Sequence, residues 1–508
     1  MKASTSILRA LTYTREQYIL DSELPEMAAF LAETREESTL RAKWQRITSS
    51  SWFVAAACAV VALGVFGGIL WLGQHDPGTT PIAPPSTDTV EQQSEMSLET
   101  EPPVTVPITE GLAFAPVEDE EGYCSVVGIG EATDTVLHIP ETSPDGFIVK
   151  YIGEYAFQGN TEITEVILPD TVEVIQMYAF NECTALRKVT LGSGFTEIKG
   201  RGFGDCTMLS EINLKPEHAV GSFALWRTPW FEALTDEFVI YGGHLIDYNG
   251  YGGDVVIPAG VKYIEGGSFT ANKLINTLTV PDGCEYIFTS AFQECYNLTH
   301  VVLAPSVHLL DSGAFAFCIS LMSIEMPGVT AIGFGAFRGT PLLSVELPAA
   351  TAIYGDAFYG CSYLSSVTFG NDLIGFLEGA FTKTALTEVI LPASTRRMGV
   401  SAMSECPELV RVETPAEYIE NYCFESCPKL REIILLDGVQ TICDDIFRNC
   451  DALERVTIPV TVTEIGHISA IPSENFVIEY AGTAEEWANI QMDAETAALL
   501  ATCVRFAE

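Results

Sequence analysis

The residue types that could do chemistry are scattered along this 508-residue chain instead of gathered. Seven histidines stand at positions 75, 138, 218, 244, 300, 308 and 467, with no H-E-x-x-H run and no pair at zinc-ligand spacing. No G-x-S-x-G elbow and no G-x-x-x-x-G-K-[ST] loop occurs, and GIGEAT at 128–133 departs from the dinucleotide fingerprint at Thr133. Carboxylates are densest at Glu118 to Glu121 and at Asp444-Asp445. A pair of acids can act as glycosidase acid and base only across a cleft, and a solvated loop offers none. Asp247, Asn249 and Asp254 surround a glycine-rich stretch and are the best-placed oxygen ligands for calcium, but no D-x-[DN]-x-[DN]-G run accompanies them. The expectation is a protein with no catalytic residue, cofactor or metal.

Cysteine is the reactive residue with a pattern. Of fourteen, eight share one slot: Cys183, Cys206, Cys295, Cys318, Cys361, Cys406, Cys427 and Cys450 each follow a Phe-type position by three residues, where other units carry Asn160, Thr228, Thr340 or Thr384. Interchange of Cys, Thr and Asn points to a small inward side chain that reaches backbone groups, with buried free thiols. Disulfide rungs such as Cys183–Cys206, Cys295–Cys318 and Cys406–Cys427 are the alternative, since a coil spacing of about 5 Å lies within a disulfide's Cα range.

The slot belongs to a repeat, and the repeat sets the fold. The pattern I-x-x-x-A-F-x-x-C puts its Phe-type position at 157, 180, 203, 225, 269, 292, 315, 337, 358, 381, 403, 424, 447 and 470, in steps of 21 to 23 residues except one of 44. Between these markers runs L-x-x-V-x-L-P, as in ITEVILP (163–169), LTHVVL (298–303) and LERVTIP (453–459). A short strand, a turn and a return segment per coil follow, stacked as a β-rich α/β solenoid of about fourteen coils. The Leu and Val of each strand point inward, and the residue between the last two points out onto one continuous sheet. That row, the candidate ligand face, comprises Ile167, Thr190, Asn213, Thr279, Val302, Glu325, Glu346, Thr368, Ile390, Glu413, Ile434 and Thr457.

Ahead of the repeats the composition changes twice. Residues 47–74 carry no charged side chain and contain SWFVAAACAVVALGVFGGILWLG (51–73), long enough for a transmembrane helix, which needs about 20 apolar residues. Arg41, Lys43 and Arg46 precede it and no Lys or Arg follows until Lys150, which places residues 1–46, a short helical segment, in the cytoplasm and the remainder outside. A cleaved signal peptide fits less well, because the leading segment and the apolar run are both too long. Residues 75–109, rich in Pro, Thr, Ser and Glu, read as a disordered stalk. Lys and Arg total 26 against 68 Asp and Glu, a net charge of -42, and the whole surplus lies after residue 46. Such a surface repels phosphate backbones, so nucleic acid is excluded as a partner.

Units such as YIGEYAFQGNTEITEVILP and ICDDIFRNCDALERVTIP resemble the BspA-type leucine-rich repeats of bacterial surface proteins. GLAFAPVEDEEGYCSVVGIG, within 110–150, resembles that family's N-terminal cap, and FVIEYAGTAEEWANI, with Gly482, Thr483 and Trp487, resembles the closing unit of 474–508. The solenoid then occupies 151–473, with an irregular insert near 226–262 in which Gly242-Gly243 reads as a hairpin turn. The resemblance implies a bacterial cell-surface protein, in several members an adhesin, with no catalytic residues to carry over. Two function classes follow: membrane-anchored, non-catalytic recognition of an extracellular protein or glycan, or an envelope sensor or assembly protein signalling through residues 1–46 to a cytosolic partner.

Overall fold

The computed structural model describes residues 108–118 and 120–507. The expected cytoplasmic segment (1–46), membrane span (47–74) and all of the stalk before residue 108 lie outside the described residues; among the described residues no helix is long and apolar enough to cross a membrane.

Each coil follows from its alternation of apolar and polar residues. In His300–Leu303, Val301 and Leu303 are buried while His300 and Val302 are not, a period of two that makes a strand with one wet face. A turn leads to a second strand of two residues, Leu309–Leu310, and the return segment brings Phe315 and then Cys318 into the interior. Most strands of one coil pair in parallel with their counterparts in the next, as Val301 with Ile324 and Leu310 with Ile332. The short strands form the longer sheet, twelve strands running from Phe238–Tyr241 to Glu464–Ile465, with six more before it.

The return segment is not helical. Two left-handed residues bracket each Ala-Phe step, for example Ser290 (φ 57°) and Glu294 (φ 60°) around Ala291 and Phe292. Left-handed backbone costs a non-glycine residue about 1–2 kcal/mol, and the return is a hydrogen-bond ladder between coils: Ser290 N donates to Ser312 O at 2.9 Å, Phe292 N to Ala314 O at 2.8 Å and Glu294 N to Ala316 O at 2.9 Å. This corrects the α/β expectation. The three described helices, Pro229–Glu232, Ala484–Trp487 and Ala494–Leu500, lie in the insert and near the C-terminus, because paired left-handed corners interrupt any helical run in a regular coil.

Stacked rings form the spine of the core. Phe157, Phe180 and Phe203 stack at 4.9 and 5.1 Å, and Phe269, Phe292, Phe315, Phe337, Phe358 and Phe381 continue at 4.6 to 5.7 Å. The insert separates the two stacks and divides the apolar interior into two clusters, Leu112 to Ile246 and Leu245 to Leu500. It is a hairpin, Phe238–Tyr241 against His244–Tyr248, turned by Gly242 and Gly243 with φ of 56° and 83°. Tyr248 replaces the missing phenylalanine by stacking on Phe269 at 4.8 Å. The last Phe-type position expected, Ala470, is exposed, and Phe476 packs on Phe447 instead at 5.5 Å.

Candidate functional site

None of the twelve face residues is buried. The register sets Thr279, Val302 and Glu325 side by side, Glu346 beside Thr368, and Ile390, Glu413, Ile434 and Thr457 in one row. Ile167 stands beside Thr190. The face is, however, four sheets and not one. Asn213 is occupied: its Oδ1 accepts from Leu191 N at 2.7 Å and its Nδ2 donates to Leu191 O at 3.0 Å, standing in for a backbone rung just before the insert. Glu413 is also engaged, with Arg411 Nη2 at 2.5 Å.

Of the three breaks one is the insert, and the other two trace to the cysteine slot. All eight slot cysteines are buried and free, and each thiol donates to the carbonyl of the Phe-type residue one coil earlier, as Cys206 to Phe180 O at 3.0 Å and Cys427 to Met403 O at 3.2 Å. Burial pushes the Cys361 thiol up to about 11. Threonine is not equivalent. Thr340 and Thr384 donate to the carbonyl of their own coil's phenylalanine, at 2.8 and 2.9 Å, and reach the following leucine after one residue instead of two. The strands that follow them, Ser344–Leu347 and Glu388–Ile390, fail to pair with the strand before, so the shorter loop misplaces the strand's entry.

Strand alternation supplies a second outward row, two residues before the first, that sequence reasoning passed over: Thr277, His300 and Ser323 in one sheet and Glu388, Arg411, Glu432 and Arg455 in another. A period of two applied to the same motif finds it. Val256, 60% exposed and paired with Thr279, was hidden in the insert. The two rows sort the face by charge. Toward the C-terminus Arg411 meets Glu388, Glu413 and Glu432 at 2.6, 2.5 and 3.3 Å, and Arg455 meets Glu432 and Glu479 at 3.9 and 3.6 Å. From Gly253–Val256 to Glu388–Ile390 the strands hold no Lys or Arg but present Glu325, Glu346 and the 54% exposed Ile390.

The other chemical candidates are structural. Glu120 accepts from Lys150 Nζ at 2.6 Å and Tyr151 OH at 2.7 Å, and these bonds hold its carboxyl below the usual range. Asp444 and Asp445 accept from the backbone of His467 and Ser469 at 2.7 Å each. Asn249 donates to Asp236 O, and Asp254 accepts from Thr277. Among the described residues no group of three His, Cys, Asp or Glu is placed to hold a metal. Ser222, Glu265 and His244 do converge, with Ser222 OH donating to Glu265 Oε2 at 2.5 Å and His244 Nδ1 lying 2.6 Å from Oε1. The carboxylate sits in the middle, so the imidazole does not address the hydroxyl and no nucleophile is activated.

A family model described as the BspA type leucine rich repeat region matches residues 142–230, 251–365 and 351–469. Among solved structures, a leucine rich cell surface protein from Faecalibacterium prausnitzii is 23% identical over 77% of this chain and 99% of its own, with a TM-score of 0.30. A leucine-rich repeat protein from Bacteroides ovatus is 20% identical over 79% of this chain and 99% of its own, also at 0.30. No curated protein matches the chain. Six copies of the repeat over more than half the sequence, with coils that stack as that repeat requires, place the chain in the BspA-type leucine-rich repeat family.

Proposed function

We propose that this protein is a membrane-anchored surface protein that recognises an extracellular protein or glycan without catalysis, an adhesin whose contact surface is the central sector of the long-strand face. The register of outward side chains from Val256 through Thr279, Val302 and Glu325 carries the reading: β-branched and acidic residues repeat at the coil spacing with no Lys or Arg among them. Extended sheets of stacked repeats bind partners in this way. A patch with two glutamates free of neighbouring cations favours a basic protein partner, through complementarity that sets orientation and encounter rate. The apolar run at 47–74 supports the anchor.

The test is binding of the detergent-solubilised full chain to arrayed matrix proteins, mucins and bacterial surface polymers. A saturable hit weakened about tenfold or more by Glu325→Lys with Glu346→Lys is expected, since placing like charge against a complementary partner costs more than 1.4 kcal/mol. Binding indifferent to those changes and to Ile390→Asp sinks the assignment of the face.

A further inference from the structure

The seam between the two cores holds a notch unlike any regular coil. Phe223, Trp226 and Phe231 wall it from the N-terminal side, and Ile246 and Asp247 of the hairpin close it, around a cavity of about 110 Å³. It exists because Gly267 stands where a side chain would be: a Cβ there would fall 2.4 Å from the Phe223 ring. Trp226 is 40% exposed at the rim. Asp247 lies on the wall, its carboxyl raised by burial against hydrogen bonds with the Tyr248 backbone and the Asn249 side chain that lower it, with no cation paired to it.

Charge at this rim contrasts with that of the long-strand face. Arg201 lies 5.2 Å from the Phe223 ring centre and 5.4 Å from that of Trp226, and Arg227 lies 5.3 Å from Trp226. Both guanidiniums pair with the single carboxylate of Asp205, at 3.7 and 3.0 Å. On the long-strand face, by contrast, one arginine is shared among three glutamates. The seam therefore offers an aromatic surface, a hydroxyl acceptor inside and positive charge outside that is only half neutralised.

We infer that the seam is a subsite for a carboxylate-bearing pyranose, a sugar acid of the uronic or sialic type. The C–H face of the ring lies against Trp226, ring hydroxyls donate to Asp247, and the sugar carboxylate is taken by Arg227 and Arg201, whose planar donors match it. A neutral sugar leaves the guanidiniums unused; a simple anion leaves the rings and Asp247 unused. None of the long-strand residues lines this notch, so the subsite stands or falls apart from the adhesin face.

The full chain is titrated with methyl galacturonide, methyl α-N-acetylneuraminide, methyl galactoside and acetate, by calorimetry and by saturation transfer from protein to sugar. At least one acidic sugar is expected to bind saturably and about tenfold more tightly than the galactoside. Preference for the galacturonide marks an acidic polysaccharide as source, and preference for the neuraminide a sialylated glycan; either supports the site. Arg227→Gln, at a 60% exposed side chain, should abolish the preference for acid while leaving the melting temperature unchanged, and Trp226→Ala should remove sugar binding altogether. Absence of saturable binding, equal affinity for the galactoside, displacement by acetate at equal concentration, or unchanged binding by Arg227→Gln each overturns the proposal.

Discussion

Phe292 lies fully buried between Phe269 and Phe315, at ring distances of 4.6 and 5.1 Å. Truncation there removes contacts to both neighbouring coils, so Phe292→Ala is expected to cost about 3–5 kcal/mol by urea denaturation. Thr279 is exposed on the face, and Thr279→Ala is expected to stay within about 0.5 kcal/mol. Equal effects would reverse the assignment of inside and outside. Asp311 permits a test of pH dependence. Complete burial raises its carboxyl above the ordinary 3.8, against hydrogen bonds from Thr289 and Ser312 that lower it. Below the unfolded value both states are protonated and the burial penalty is absent; as pH rises from there through the folded value, the unfolded chain ionises first and stability falls. Asp311→Asn should flatten that loss, so the variant gains on the parent as pH rises from about 4, and an unchanged difference refutes it. The inward Phe and the small slot residue were legible in the sequence, because burial follows from the repeat. The thiol's acceptor was not, since it lies one coil away and depends on the offset between coils.

At the level of the coil, the sequence shows the strand and the spacing but conceals the corners. Left-handed positions are filled by Tyr178, Arg201, Phe317, Glu405 and Tyr422, types that carry no turn signal, while glycines such as Gly335 and Gly360 and a few residues such as Asp356 and Asn449 betray the conformation. Gly360 isolates the effect: its φ is 72° and an added Cβ would meet nothing within 4 Å. Gly360→Ala should therefore cost about 1–2 kcal/mol from backbone strain alone. Gly360→Asn should cost less, because Asn tolerates this conformation. Equal losses in thermal denaturation would mean that the corner is not what the substitution disturbs. The expectation of a single sheet failed at the insert and at two further breaks, where Thr340-Pro341-Leu342 and Thr384-Ala385-Leu386 are one residue shorter than Cys-x-x-Leu, and a sheet that tracks its neighbour through backbone bonds does not absorb the difference.

The net charge of -42 is unevenly compensated on the long-strand face, where among the described residues ion pairs cluster on the C-terminal strands and no cation stands on the central ones. For a basic partner this predicts steering from a distance. Raising salt from about 0.05 to 0.2 M should slow association by roughly tenfold while dissociation changes little, and Glu325→Gln with Glu346→Gln should reduce the salt slope, as stopped-flow mixing would read. A salt-independent association rate would move the contact away from the glutamates.

The direction of stacking has a temporal side. The strand pair Ala113–Pro116 and Tyr123–Gly128 stands at the N-terminal end, and Ile148–Ile152 pairs onto it in parallel as the first of the succession. Every later coil needs only the one before it, about 22 residues earlier, as a template. A nascent chain can therefore assemble in the order in which it is made, each coil docking as it emerges, with little loop entropy to overcome. Until Val504–Phe506 pairs with Val477–Tyr480 and Trp487 packs on Tyr480, the growing end is an open strand edge. A chain that stops short thus leaves that edge to the nearest identical molecule, and chains broken off within the repeats should be the ones that aggregate.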